Sequence, residues 1–105
     1  MEQSTEEKLK EIAEKTDLNY SLLKVAEECT EVSELCIKKL TKISDLQPTD
    51  ENIVEECADL LSRISILVLK MGKIEKLIKL SHNKTTKIHE DVLNNKNTKI
   101  EIIRN

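Results

Sequence analysis

The sequence predicts an all-α protein, and three observations carry that prediction. Turn formers and aromatics are almost absent: there is one Gly, one Pro, one Tyr, and no Phe or Trp. Leu, Ile, Lys and Glu are abundant, a composition that suits helices rather than twisted sheets. Apolar residues also recur at spacings of three and four over long stretches, not at spacings of two. With 105 residues, 38% of them hydrophobic, one all-α domain is expected, with a modest core that oligomerisation would help stabilise.

The first helix opens at Ser4, which makes a capping box with Glu7 and is followed by Leu9, Ile12 and Ala13. Thr16 or Asp17 caps a longer second helix. Its apolar stripe is Leu18, Leu22, Val25, Cys29, Val32, Cys36 and Leu40. Ser44 to Asp50, containing Pro48, is the clearest loop. Thr49 or Asp50 caps the third helix, and Asp50 and Glu51 favour its positive end. That helix runs through Ile53, Val54, Cys57, Leu60, Leu61, Ile64, Leu67, Val68 and Met71, with Gly72 placed to end it. A fourth helix is expected from about Lys73 to Val92, with Ile74, Leu77, Ile78 and Ile88 as a weaker stripe. Residues 1–93 are therefore assigned to one helical domain and 94–105 to a tail. The tail opens polar and closes with Ile100, Ile102 and Ile103, compatible with a short strand, a swapped arm or a frayed end.

Composition also narrows the function classes. A net charge of −3 gives no support for non-specific nucleic-acid binding, and a single aromatic leaves no stacking platform for single strands. No run approaches the roughly 20 apolar residues of a membrane span. The acidic start, Met1-Glu2-Gln3-Ser4, does not resemble a signal peptide. Cys29, Cys36 and Cys57 are odd in number and form no CxxC pair. They are expected to be free thiols in a reducing cytoplasm, packed as small apolar groups on buried faces.

The feature that stands out is a pair of near-copies: Glu27-Glu28-Cys29-Thr30-Glu31 and Glu55-Glu56-Cys57-Ala58-Asp59. Each holds carboxylates three residues apart, hence neighbours on one helix face. At 100° per residue, Tyr20, Lys24, Glu28 and Glu31 share a sector of about 80°, and Glu56, Asp59 and Arg63 one of about 60°. A solvated face with i,i+4 ion pairs is the plain alternative. Against it, Glu27, Glu55 and Glu56 meet Glu31, Asp59 and Leu60 at i+4, so cationic partners are missing. Two such helices packed face to face gather four carboxylates, an arrangement that a cation makes reasonable. Oxygen-only ligands select hard ions, so Mg²⁺ is expected, with Mn²⁺ as a substitute. A di-iron carboxylate bundle needs Glu-x-x-His on two helices. Here both copies end in an acid, and His82 and His89 lie elsewhere.

Glu28-x-x-Glu31, 24 intervening residues, then Glu56-x-x-Asp59 resembles the paired motif of the MazG-like all-α nucleoside triphosphate pyrophosphohydrolases. The flanking Leu23-Lys24-Val25-Ala26-Glu27-Glu28-Cys29 resembles that family's Lys-apolar-x-Glu-Glu lead-in. Glu55-Glu56-Cys57-Ala58-Asp59-Leu60-Leu61 resembles its second motif. Ile74 to Ile88, with Asn83-Lys84-Thr85, is similar to the later helix that ends in an Asn-Arg pair in the small phage-type members. The likeness covers Leu22 to Ile88, roughly two-thirds of the chain.

The resemblance implies a four-helix bundle completed by oligomerisation, as a dimer or tetramer, and Mg²⁺-dependent hydrolysis of a nucleoside triphosphate to a monophosphate and pyrophosphate, as nucleotide-pool housecleaning. Glu28, Glu31, Glu56 and Asp59 would hold the metal, with Glu28 or Glu31 orienting the attacking water. Lys24, Asn83 and Lys84 would balance phosphate charge, Arg63 would meet phosphate or pair with a carboxylate, and Tyr20 is available to stack on a base. Two positions depart from the family pattern: Ser81 stands where phage-type members carry Lys, and Lys84 where they carry Arg. Either Lys79, Lys87 or a partner subunit would then supply the grip, or turnover is weak. A non-catalytic nucleotide- and metal-binding relative and a purely structural helical oligomer are the alternatives.

Overall fold

In a computed structural model, residues 2–42, 45–95 and 97–102 are described. They form α1 (Thr5–Lys15), α2 (Leu18–Thr41), α3 (Asp50–Lys70) and α4 (Ile74–Asn94). The all-α expectation holds. Ser44 and Ile103, which the sequence assigns to a loop and to the tail, lie outside the described residues.

The helix boundaries follow local chemistry. The Ser4 hydroxyl accepts from the Glu7 amide at 3.1 Å. At the next junction the two candidate caps divide the work. Asp17 accepts from the Tyr20 amide at 2.7 Å and starts α2. The Thr16 hydroxyl donates back to the Ile12 carbonyl at 2.7 Å and closes α1. Thr49, not Asp50, caps α3, in a reciprocal box with Asn52 at 3.1 Å each way. Gly72 (φ 69°) ends α3. Its amide reaches the Leu69 carbonyl, and the Lys73 amide reaches Val68, at 2.9 and 3.0 Å. That pair of bonds is a Schellman close. No side chain caps α4.

The third helix is the hub. α2 lies along it as an antiparallel partner, α1 packs on another side, and among the described residues α4 touches only α3. The α2–α3 connection is tied at its base by Lys39, which meets Asp50 at 3.4 Å and the Pro48 carbonyl at 3.3 Å. Lys70 donates to the Ala13 carbonyl at 2.9 Å, fastening α1 to the far end of α3. The core sits where these three helices meet, around Ala13, Ser21 and Ile66.

The chain is nonetheless open. Its radius of gyration is 17.4 Å, against about 13 Å for a compact domain of this length. On α4 only Ile74 and Leu77 are half-buried. The tail forms no strand over residues 97–102, and Ile100 and Ile102 are exposed.

One expectation is overturned. Cys29, Cys36 and Cys57 are free but exposed. The reason is rotational: α2 meets α3 through Ser21, Val25, Glu28, Val32 and Leu35, all buried or half-buried. The apolar stripe drawn through Cys29 and Cys36 is centred about 60–80° further round the helix.

Candidate metal centre

The antiparallel packing of α2 on α3 brings the two acidic near-copies face to face. Oxygens of Glu28, Glu31 and Glu56 all lie within 4.8 Å of one another. Each helix supplies its carboxylates from one face because they are spaced at one turn. Asp59 stands one turn beyond Glu56 and joins Glu28 in lining an adjacent cleft of about 370 Å³, together with Ser62, Arg63 and the apolar Ile12 and Ile66.

The electrostatics are those of crowded like charges. Glu28 is held above the ordinary carboxylate range, first by desolvation, then by the charges of Glu31 and Asp59, with Arg63 opposing. Glu31 is raised chiefly by its hydrogen-bonding contact with Glu56 and by that carboxylate's charge. Glu28 and Glu56 are half-buried, and one oxygen of each (Oε2) is shielded from solvent with no hydrogen-bond partner. A shielded, unpaired carboxylate oxygen is costly. Convergent carboxylate oxygens with two unpaired acceptors among them form a group that could hold a metal ion.

Beside the carboxylates lies a cationic and aromatic group. Lys24 Nζ is 5.5 Å and Arg63 Cζ 5.9 Å from the centre of the Tyr20 ring, both within cation–π range. Lys24 also meets Glu27 at 3.2 Å. Tyr20, Lys24 and Arg63, on two different helices, are therefore gathered at one edge of the acidic group. Glu27 is exposed and pairs with Lys24; Glu55 is exposed as well.

Asn83 and Lys84 are not brought there. Both are exposed on α4, which makes no packing contact with α2 among the described residues. His82 and His89 are likewise exposed on α4, away from the carboxylates. Two residues escaped the sequence reading. Ser62 lines the cleft one turn after Asp59. Ser21 is buried two turns before Glu28, its hydroxyl without a partner. The available signal was the helical register itself: small polar residues spaced three or seven from a carboxylate share its face.

No helix among the described residues is long and apolar enough to cross a membrane. Comparison with protein-family models, curated proteins and solved structures gives no match.

Proposed function

We propose that this chain is a Mg²⁺-dependent nucleoside triphosphate pyrophosphohydrolase, cleaving between the α and β phosphates to release a monophosphate and pyrophosphate. The observation that supports this reading is the convergence of Glu28, Glu31 and Glu56, two of them with a shielded unpaired oxygen, beside the Lys24–Tyr20–Arg63 group. The resemblance of the paired acidic motifs to the MazG-like enzymes supplies the substrate class.

In this reading Glu28, Glu31, Glu56 and Asp59 hold the cation, with Mn²⁺ as a substitute. When bound, it supplies charge neutralisation and polarisation of phosphoryl oxygens. Glu28 or Glu31 orients the attacking water and accepts its proton. Lys24 and Arg63 offset the charge of the triphosphate, and the Tyr20 ring offers an apolar face to the base. Asn83 and Lys84 would contribute only from the α4 of another copy in a dimer or tetramer.

The test is a panel of canonical and modified nucleotides assayed for pyrophosphate with Mg²⁺ and with Mn²⁺. Release from at least one nucleotide, lost in Glu28→Ala, is the expected result. Silence across the panel with both ions sinks the enzyme reading. A second reading, a non-catalytic nucleotide- and metal-binding relative, is favoured by the distance of α4 from the carboxylates and by Ser81 and Lys84. Nucleotide-dependent thermal stabilisation without turnover would select it.

A further inference from the structure

Arg63 stands among carboxylates and pairs with none of them. It is half-buried and lines the same cleft as Glu28 and Asp59. A guanidinium is normally drawn onto such oxygens, because its planar fork of donors matches a carboxylate. Among the described residues, however, Arg63 forms no ion pair. What it meets instead is the Tyr20 ring, whose centre lies 5.9 Å from its Cζ, within cation–π range.

Tyr20 is built to hold it. The Asp17 carboxylate accepts from the Tyr20 amide at 2.7 Å, so the cap fixes the backbone of this residue. Its neighbour Ser21, 3% exposed, anchors the same turn in the core. The Tyr20 side chain is left at the rim of the acidic group, 41% exposed. Lys24, one turn further along α2, places Nζ 5.5 Å from the same ring but is already engaged with Glu27 at 3.2 Å. Of the two cations on the ring, Arg63 is the one without a carboxylate partner among the described residues.

We propose that Tyr20 is a positioning residue: its ring holds the Arg63 guanidinium beside the carboxylates and keeps it from closing on Glu28 and Asp59. What this does for the site rests on the metal reading given above. The acidic oxygens stay open to a cation that a paired guanidinium would displace. The Arg63 donors stay open to a pair of anionic oxygens arriving with that cation. Exposed ion pairs and exposed cation–π contacts are similar in size, so removing the ring is enough to tip Arg63 onto the acids. The role is carried by the ring face and does not need the phenol hydroxyl.

Two measurements test this, and neither needs turnover. In the ion-free chain, nuclear magnetic resonance should show the Arg63 side-chain protons displaced upfield by the ring, in the native protein and in Tyr20→Phe. In Tyr20→Leu that displacement should vanish, and the Nε–H signal should move downfield as a carboxylate takes the place of the ring. Titration with Mn²⁺ gives the second readout. Tyr20→Leu should weaken Mn²⁺ binding at least about threefold, the scale of one lost cation–π contact, and Tyr20→Phe should stay within about twofold of the native chain. The Tyr20→Leu, Arg63→Gln double variant should bind Mn²⁺ as tightly as Arg63→Gln alone, because Tyr20 acts only through Arg63. Native Arg63 protons without a ring displacement overturn the proposal. So does a Tyr20→Leu chain that binds Mn²⁺ like the native one, or a loss that persists in the double variant. A chain that takes up no Mn²⁺ but shows both proton shifts sinks the metal reading and upholds the holding of Arg63.

Discussion

Helices α2 and α4 are similar on paper and different in the fold. They contain 24 and 21 residues, and both carry apolar positions at spacings of three and four. α2 buries or half-buries Ser21, Val25, Glu28, Val32 and Leu35 against α3. α4 leaves α3 after its first turn, and everything beyond Leu77 on it is exposed. Amphipathicity decides that a segment is helical with one face needing cover. It does not decide what supplies the cover. The functional candidates divide along the same line: those on α2 and α3 converge, and those on α4 stay apart.

The carboxylates of α2 and α3 should show the greatest sensitivity to substitution. Glu28→Ala and Asp59→Ala should each lower pyrophosphate release at least about 100-fold, as loss of a metal-holding group does. By contrast, Lys84→Ala should change kcat/KM by less than tenfold, about 1.4 kcal/mol, because α4 does not reach the carboxylates within the chain. A loss above 100-fold for Lys84→Ala in steady-state kinetics would show that another copy delivers its α4 to the site.

Stability offers the second contrast. Ile66 is 5% exposed at the junction of three helices. Ile66→Ala should cost about 2–4 kcal/mol in denaturant unfolding, the usual cost of emptying a buried aliphatic site. Ile88 on α4 is 62% exposed, and Ile88→Ala should cost less than about 0.5 kcal/mol. Equal losses would mean that α4 is packed as firmly as α3 in solution.

The smallest expected effect is the pH dependence of the ion-free chain. Glu28 and Glu31 are both raised in the fold. The folded chain then binds protons more tightly than the unfolded one. The stability this contributes is present below the ordinary carboxylate pKa of about 4.3 and lost as pH rises through the raised values. Melting temperature measured upward from about pH 4 should therefore fall relative to a Glu28→Gln, Glu31→Gln double variant, which lacks that titration. Added Mg²⁺ should reverse the trend in the native chain, since the ion competes with those protons. Parallel melting curves for the two proteins, with and without Mg²⁺, would remove the carboxylate coupling from the account.

Much of the fold was legible because its signals are local. Ser4, Thr49 and Gly72 work within one turn of chain, and their roles follow from which amides and carbonyls a helix end leaves unpaired. The choice between Thr16 and Asp17 was not legible, because both side chains cap a helix end and only the path of the chain assigns one to each. The acidic centre was legible to the extent that one-turn spacing puts Glu28 with Glu31 and Glu56 with Asp59. That Tyr20, Lys24 and Arg63 would meet beside them was only half legible, since a wheel aligns residues on one helix and says nothing of the neighbour's height.

The cysteines mark where sequence and structure part. Four amphipathic helices, the caps at Ser4 and Gly72, and two carboxylate pairs on the faces of α2 and α3 follow from the chain alone, because these depend on spacing along one chain. Which arc of each helix is covered emerges from packing: a face through Ser21 and Glu28 rather than Cys29 and Cys36, and almost none of α4. Helix periodicity fixes relative angles within an element, whereas the rotation of one element against another is set by the packing of both.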